Sequence, residues 1–227
     1  MNDENYYLAC AVRELDRLAI EEHHIPGFTL MQRAGQAAFT ALQDRWPETR
    51  QLLCFCGSGN NGGDGYVMAA LARAKGIAAL VIAVGDVSKL KGDAILAYQM
   101  ATDQGVEVVS FPLFGIEKFL KYQKQCVVVD AMLGTGLSGK VTGDSLRAIE
   151  LINAATFPVL AVDIPSGLCS DTGEILGDAV KAEMTMTYIG RKLGQIVKKG
   201  PQTCGEIIFD DLGVPGEIFK LVTPATH

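Results

Sequence analysis

The sequence predicts an α/β fold: a doubly wound, mostly parallel sheet in a single domain, with an N-terminal helical extension. Two observations carry that prediction. Beyond residue 51, short runs that are almost wholly apolar alternate with stretches of helical periodicity, and strands without inside/outside alternation are those covered on both faces. No Pro/Ser-rich linker, internal repeat or low-complexity tract interrupts the 227 residues. One domain over 1–227 is therefore expected, with helices over about 8–46 and an α/β core over about 51–213.

The elements follow in order. A first helix is expected over 8–24, where Leu8, Val12, Leu15, Leu18 and Ala19 recur at helical spacing. After the Pro26-Gly27 break, a second runs over 29–46. Thr29 followed by Gln32 fits a capping box, and Pro47 closes the segment. The Met and Ala stripe of this helix reads as core or dimer interface, and Trp46 as packing. Buried strands are expected over 52–56, 78–84, 106–110, 127–130 and 159–163, with two more over 184–189 and 206–209. Helices are expected over 66–75, 93–104 and 145–155, with a weaker pattern over 116–123.

Composition narrows the function. Lys and Arg number 20 and Asp and Glu 26, a formal net charge of −6. That balance argues against nucleic-acid binding through a basic face. The acidic N-terminus lacks the basic and long apolar regions of a signal peptide, and the most apolar stretch, 77–84, is too short to span a bilayer. A reducing, cytoplasmic setting is expected. The six cysteines form no CxxC pair; Cys54 and Cys56 share one face of a strand, so buried free thiols are expected rather than a disulfide framework. Of three histidines, His23 and His24 are adjacent and His227 is terminal. The pair fits a helix C-terminus. Multi-histidine metal sites and catalytic triads are thereby disfavoured, and acid–base work falls to carboxylates or lysine.

Glycine is abundant, 25 of 227 residues, against an average of about 7%, and much of it collects behind three strands. Strand 52–56 runs into GSGNNGGDG, where Gly57, Gly59 and Gly62 satisfy G-x-G-x-x-G between a strand and a helix. Bare glycines admit a ligand to the backbone, and the helix start offers free N–H groups to an anion. Asp86, closing the next strand, is a candidate ribose ligand. Asn60, Asn61 and Asp64 add amides and a carboxylate suited to a hydroxylated or amide-bearing ligand, or to a hard cation; the competing reading is a Gly/Asn-rich turn. Strand 127–130 ends in DAMLGTGLSGKVTG, with Asp130 at its carboxyl end and Thr135, Ser138 and Lys140 suited to phosphate oxygens. Strand 159–163 ends in DIPSGLCSDTG, placing Asp163 and Ser166 alike. Each Asp alone could cap a helix or loop. Three such loops at one sheet edge converge on one crevice. Lys192, in IGRKLG, reads slightly better as a surface charge than as a site residue.

These residues carry a resemblance. GSGNNGGDGYVMA, VVDAMLGTGL and AVDIPSGLCSDTG, preceded by TLMQRAGQAA, together resemble the YjeF N-terminal domain family, whose enzymatic members are NAD(P)H-hydrate epimerases. The likeness runs from about residue 8 to about 213. It implies a Rossmann-like three-layer αβα sandwich, usually a homodimer. It implies interconversion of the R and S hydrates of NADH and NADPH, so that an ADP- or ATP-dependent NAD(P)H-hydrate dehydratase, specific for S, can restore the cofactor. In many bacteria that dehydratase is fused behind this domain. The resemblance further implies substrate contacts from Asn60, Asn61, Gly62, Gly63 and Asp64, from Gly134, Thr135, Gly136, Leu137, Ser138, Gly139 and Lys140, and from Asp163. It implies one potassium ion per subunit, held by Asn61, Asp130 and Ser166. Neither nucleic acid nor membrane is implied as a partner.

The chemistry agrees with the residues. The hydrated carbon is a hemiaminal, and inverting it requires loss and return of hydroxide through a ring cation or an opened ring. A carboxylic acid protonates the leaving group and a carboxylate guides water back or stabilises the cation. Asp163 is expected to do this work, with Asp130 tied to the metal. Two competing readings are a non-catalytic ligand- or protein-binding module of the same fold, and an ordinary NAD-dependent oxidoreductase. The second lacks a His, a Tyr-x-x-x-Lys pair or a catalytic Cys in a suitable place.

Overall fold

A computed structural model of the chain describes residues 5–114 and 125–225; the expected helix over 116–123 and the terminal His227 lie outside them. Seven parallel strands form the central sheet: β1 (Gln51–Cys56), β2 (Ala78–Ala83), β3 (Glu107–Ser110), β4 (Cys126–Ala131), β5 (Val159–Val162), β6 (Met184–Tyr188) and β7 (Glu206–Asp210). Their order is β3-β2-β1-β4-β5-β6-β7. The chain starts at β1, works outward to β3, then returns to β4 and works outward the other way. Leu53 of β1 thus pairs with Leu80 on one side and Val128 on the other. The crevice at this reversal is where open α/β sheets bind ligands.

Among the described residues, five helices of nine residues or more flank the sheet: α1 (Ala9–Arg17), α2 (Gly27–Arg45), α3 (Asn60–Ala74), α4 (Asp93–Asp103) and α5 (Gly143–Ala154). The expected α/β sandwich with N-terminal helices is present. Period-two side-chain direction divides β1 between two cores. Leu52, Cys54 and Cys56 face the larger cluster with α1–α4, whereas Leu53 and Phe55 face a smaller one with α5. Helix α3 is buried almost all round, because α2 packs over its outer side while the sheet takes its inner side.

Several boundaries differ from expectation for identifiable reasons. Helix α2 starts at Gly27 behind Pro26 and makes no side-chain cap, so Thr29 lies inside the helix and the capping box does not form. The first helix continues as a π-helical turn over Leu18–Glu22. Helix α3 starts at Asn60, six residues before Tyr66, so NNGGDG is helix rather than loop. Two two-residue strands escaped the apolar-run criterion: Tyr6–Tyr7 pairs in parallel with Arg191–Lys192. All six cysteines are free; Cys54, Cys56, Cys126 and Cys204 are buried, whereas Cys169 is half-buried and Cys10 exposed. Among the described residues no helix is long and apolar enough to cross a membrane.

Candidate active site

A cavity of about 830 Å³ opens at the carboxyl ends of β1 and β4. Loops behind β1, β2, β4 and β5 build its wall together with residues of α1, α2 and α3. Behind β1, the chain turns at Gly57–Gly59 and enters α3. That turn is tight: a Cβ on Gly57 would lie 2.0 Å from the Met132 carbonyl, and one on Gly62 2.0 Å from the Gly57 carbonyl. Glycine lets α3 begin in contact with the sheet edge. One helical turn then places Asn60, Asn61 and Asp64 on the cavity side, while Gly63 turns away and packs on Met31 of α2. Gly62 and Gly63 were expected to contact substrate; their Cα faces pack against protein. The N–H groups of Asn60, Asn61 and Gly62, in the first turn, have no intrahelical acceptor and are available to an anion.

Behind β4, Gly134, Thr135, Gly136, Leu137 and Ser138 line the cavity. Gly139 and Lys140 do not; Lys140 is exposed, and the backbone of Val141 is tied at 2.8 Å to the Leu176 carbonyl. Gly134 is the close-approach position. A Cβ there would meet Asn61 at 3.3 Å and Asp163 Oδ2 at 3.5 Å, so these two side chains flank the loop. Asp86 stays outside the wall. Its carboxylate accepts from Ser88 N at 2.9 Å and Ser88 Oγ at 2.6 Å, which lowers its pKa and caps a short turn. The expected ribose ligand is a local cap.

Asp163 follows β5 with φ +67°, a left-handed conformation that Asp tolerates better than most residues. Its N–H donates to the Met186 carbonyl at 2.7 Å, pinning the β5 end to β6. Its carboxylate pairs with Lys192, which is 0% exposed and contradicts the surface-charge reading. The Lys192 ammonium also donates to Thr187 Oγ1 at 2.8 Å and to the Tyr188 carbonyl at 3.3 Å. Gln195 completes the bracket, donating to the Asp163 carbonyl at 3.0 Å and accepting from Lys192 N at 2.9 Å. Tyr188 and Lys192 do have Tyr-x-x-x-Lys spacing, contrary to expectation, and both reach the site. Burial and the nearby carboxylates Asp64, Asp163 and Asp210 push the Tyr188 hydroxyl well up, the reverse of what a proton-transferring tyrosine needs.

Asp130 and Ser166 sit behind the cavity wall, both fully buried. Ser166 donates to Asp130 through N at 2.7 Å and Oγ at 2.6 Å, and its Oγ accepts from Leu133 N at 2.9 Å. Burial raises the Asp130 carboxyl to about 6, opposed by these hydrogen bonds. Both carboxamide atoms of Asn61 are buried without a partner, a costly state for a polar group.

The model of the YjeF-related protein N-terminus matches residues 27–194. This chain belongs to that family. A bifunctional NAD(P)H-hydrate repair enzyme Nnr from Coxiella burnetii is 44% identical over 216 residues, 95% of this chain and 43% of that protein. An NAD(P)H-hydrate epimerase from Legionella pneumophila (strain Paris) is 34% identical over 221 residues, 95% of this chain and 80% of that protein. The chain therefore spans less than half of the bifunctional relative. The crystal structure of yeast ynu0 superposes with a TM-score of 0.83, at 19% identity, over 98% of this chain and 96% of that one, a likeness of fold.

Within this YjeF-related chain, the cluster that sequence reasoning missed is Lys192, Thr187, Tyr188, Gln195 and Asp16. Only Lys192 had been weighed, and misplaced. The signal was present: the apolar strand before it, MTMTY, carries the chain into the interior.

Proposed function

We propose that this chain is an NAD(P)H-hydrate epimerase domain acting on hydrated NADH and NADPH, before a dehydratase. One observation carries the reading. An ion-paired carboxylate, Asp163, faces a dinucleotide-sized crevice beside a helix N-terminus that can take the pyrophosphate. Thr135 and Ser138 supply further donors on the wall. Its place beside the Lys192 side chain and on the cavity wall suits the Asp163 carboxylate to stabilise a ring cation and to accept a proton from returning water.

The proposal includes potassium. Asn61, Asp130 and Ser166 would hold it: the orphaned Asn61 oxygen and a buried carboxylate are hard oxygen donors. The ion would neutralise the buried Asp130 charge and fix the loop that carries Gly134 against α3. The same family resemblance extends the proposal to a homodimer in the cytoplasm, with an ADP- or ATP-dependent dehydratase as functional partner.

The test mixes the purified chain with separated R and S hydrates and follows their interconversion by chromatography. Acceleration over the spontaneous rate is expected. Interconversion at the spontaneous rate would refute an enzyme and leave the binding-module reading.

A further inference from the structure

The Lys192–Asp163 pair leaves one chemical role unfilled. Expelling hydroxide from a hemiaminal needs a proton donor, and Asp163 is engaged as the charged partner of a buried ammonium. Asp16 lines the same cavity from a different layer. It lies on α1, ahead of the matched family region.

The placement of Asp16 is built. Val12 and Leu15 of α1 are buried, and a Cβ on Gly190 would touch both. Helix α1 therefore rests on the turn that leads to Lys192. Asp171 Oδ1 accepts from Ala9 N at 2.6 Å and fixes the start of the helix. The strand Tyr6–Tyr7, just before it, pairs with Arg191–Lys192. At the far end, the π-helical turn follows directly and carries Ile20 into the same wall; such turns concentrate at functional sites. Among the described residues, no hydrogen bond or ion pair holds the Asp16 carboxyl.

We propose that Asp16 is a catalytic residue, the acid that protonates the departing hydroxyl while Asp163 serves the returning water. This rests on the epimerase reading. The Asp16 proton passes to the hydroxyl oxygen. The C–O bond breaks with its electron pair on oxygen, releasing water, and the ring-nitrogen lone pair forms the C=N bond of an iminium ion. Water adds to that carbon from the other face, the C=N pair returns to nitrogen, and the proton shed by the adding water goes to Asp163. Exchange with solvent restores both carboxyl groups, and nothing is oxidised or reduced.

The electrostatics support this division. Burial, then the field of Asp163, raise the Asp16 carboxyl, with Lys192 opposing, to about 6. The other charged or titratable groups around the site are Asp64 and Tyr188 on the facing elements, Asp93 on the wall, and Arg13 and Arg17 on the same helix. Arg17 is taken by Glu14, Glu21 and Glu22. Asp64 is pushed well above the carboxylate range, so Asp16 is better matched to proton transfer near neutrality.

Asp16→Asn is tested in the full chain with hydrated NADH. A kcat loss of about 100-fold or more is expected, the size typical of a lost general acid, with KM held. Wild-type kcat should fall as pH rises past about 6, and the residual activity of Asp16→Asn should lack that fall. A wild-type profile flat between about pH 5 and 7 overturns the proposal even if the variant does not fold. So does Asp16→Asn turnover within about threefold of wild type. An active wild type with an active variant sinks the Asp16 assignment alone, whereas an inactive wild type sinks the epimerase reading and this inference with it.

Discussion

Replacing Lys192 with Met tests the buried bracket at the site most directly. Met keeps the length of the side chain and removes the ammonium. The Asp163 carboxylate loses its counter-charge, and Thr187 Oγ1 and the Tyr188 carbonyl lose a donor. Removing one partner of a buried pair costs about 3–5 kcal/mol. Asp163 keeps 18% of its side chain exposed, so water partly replaces the lysine and the low end, about 3 kcal/mol, is expected. For a chain of this size that is a fall of roughly 6–12 °C in melting temperature. Asp163→Asn should cost more, because it strands an ammonium that is 0% exposed. The double variant carries neither charge and should be at least 1–2 kcal/mol more stable than the sum of the single losses predicts, a coupling ordinary for residues in contact. Urea unfolding of all four proteins measures the cycle. Single losses that add within about 0.5 kcal/mol, the scatter of independent sites, would refute the buried pair.

Three further outcomes are expected. Asp16 has a folded pKa of about 6, against an ordinary 3.8, so the folded chain holds that proton longer than the unfolded chain, and stability drains as pH rises between the two values. Asp16→Asn should therefore gain up to about 3 kcal/mol at pH 7.5 and nothing near pH 4; a pH-independent difference in urea midpoints would contradict it. Gly62→Ala should lose about 1–3 kcal/mol by forcing α3 from β1, while Gly136→Ala, with nothing within 4 Å of its Cβ, should stay near neutral; equal melting temperatures would remove the close-approach argument. Raising potassium chloride against choline chloride should raise the melting temperature of wild type, by about 2.7 kcal/mol of stabilisation at 100 times Kd. The rise should vanish in Asn61→Ala, and an identical rise in that variant would move the ion elsewhere.

The central sheet was legible because its strands are apolar on both faces, the pattern of a covered parallel sheet, and alternate with helical stretches. The loop aspartates and asparagines were legible for a related reason: polar groups packed between glycines directly after such strands have few structural uses. The onset of α3 was not legible. Gly62, Gly63 and Gly65 lower helix propensity, and tertiary contact overrides it, since each glycine admits a neighbour that a side chain would exclude. Lys192 was misjudged because burial of a lysine depends on a partner, Asp163, distant in sequence. Asp16 was hidden among Arg13, Glu14 and Arg17 on an amphipathic helix, where one more charge reads as solvated surface. The capping box at Thr29 failed because Pro26, already of suitable φ, starts the helix earlier.

The pairing of Tyr6–Tyr7 with Arg191–Lys192 has a kinetic consequence. Tyr6–Tyr7 must wait until Arg191–Lys192 has been made. At about 5–20 residues per second, the N-terminal arm is on the ribosome for roughly 10–40 s before its partner strand exists. Closing so long a loop is entropically expensive, so late docking of the arm is expected. Until then Lys192 and Asp163 can keep their water. The charges that the finished site dehydrates are then sealed only when the arm docks.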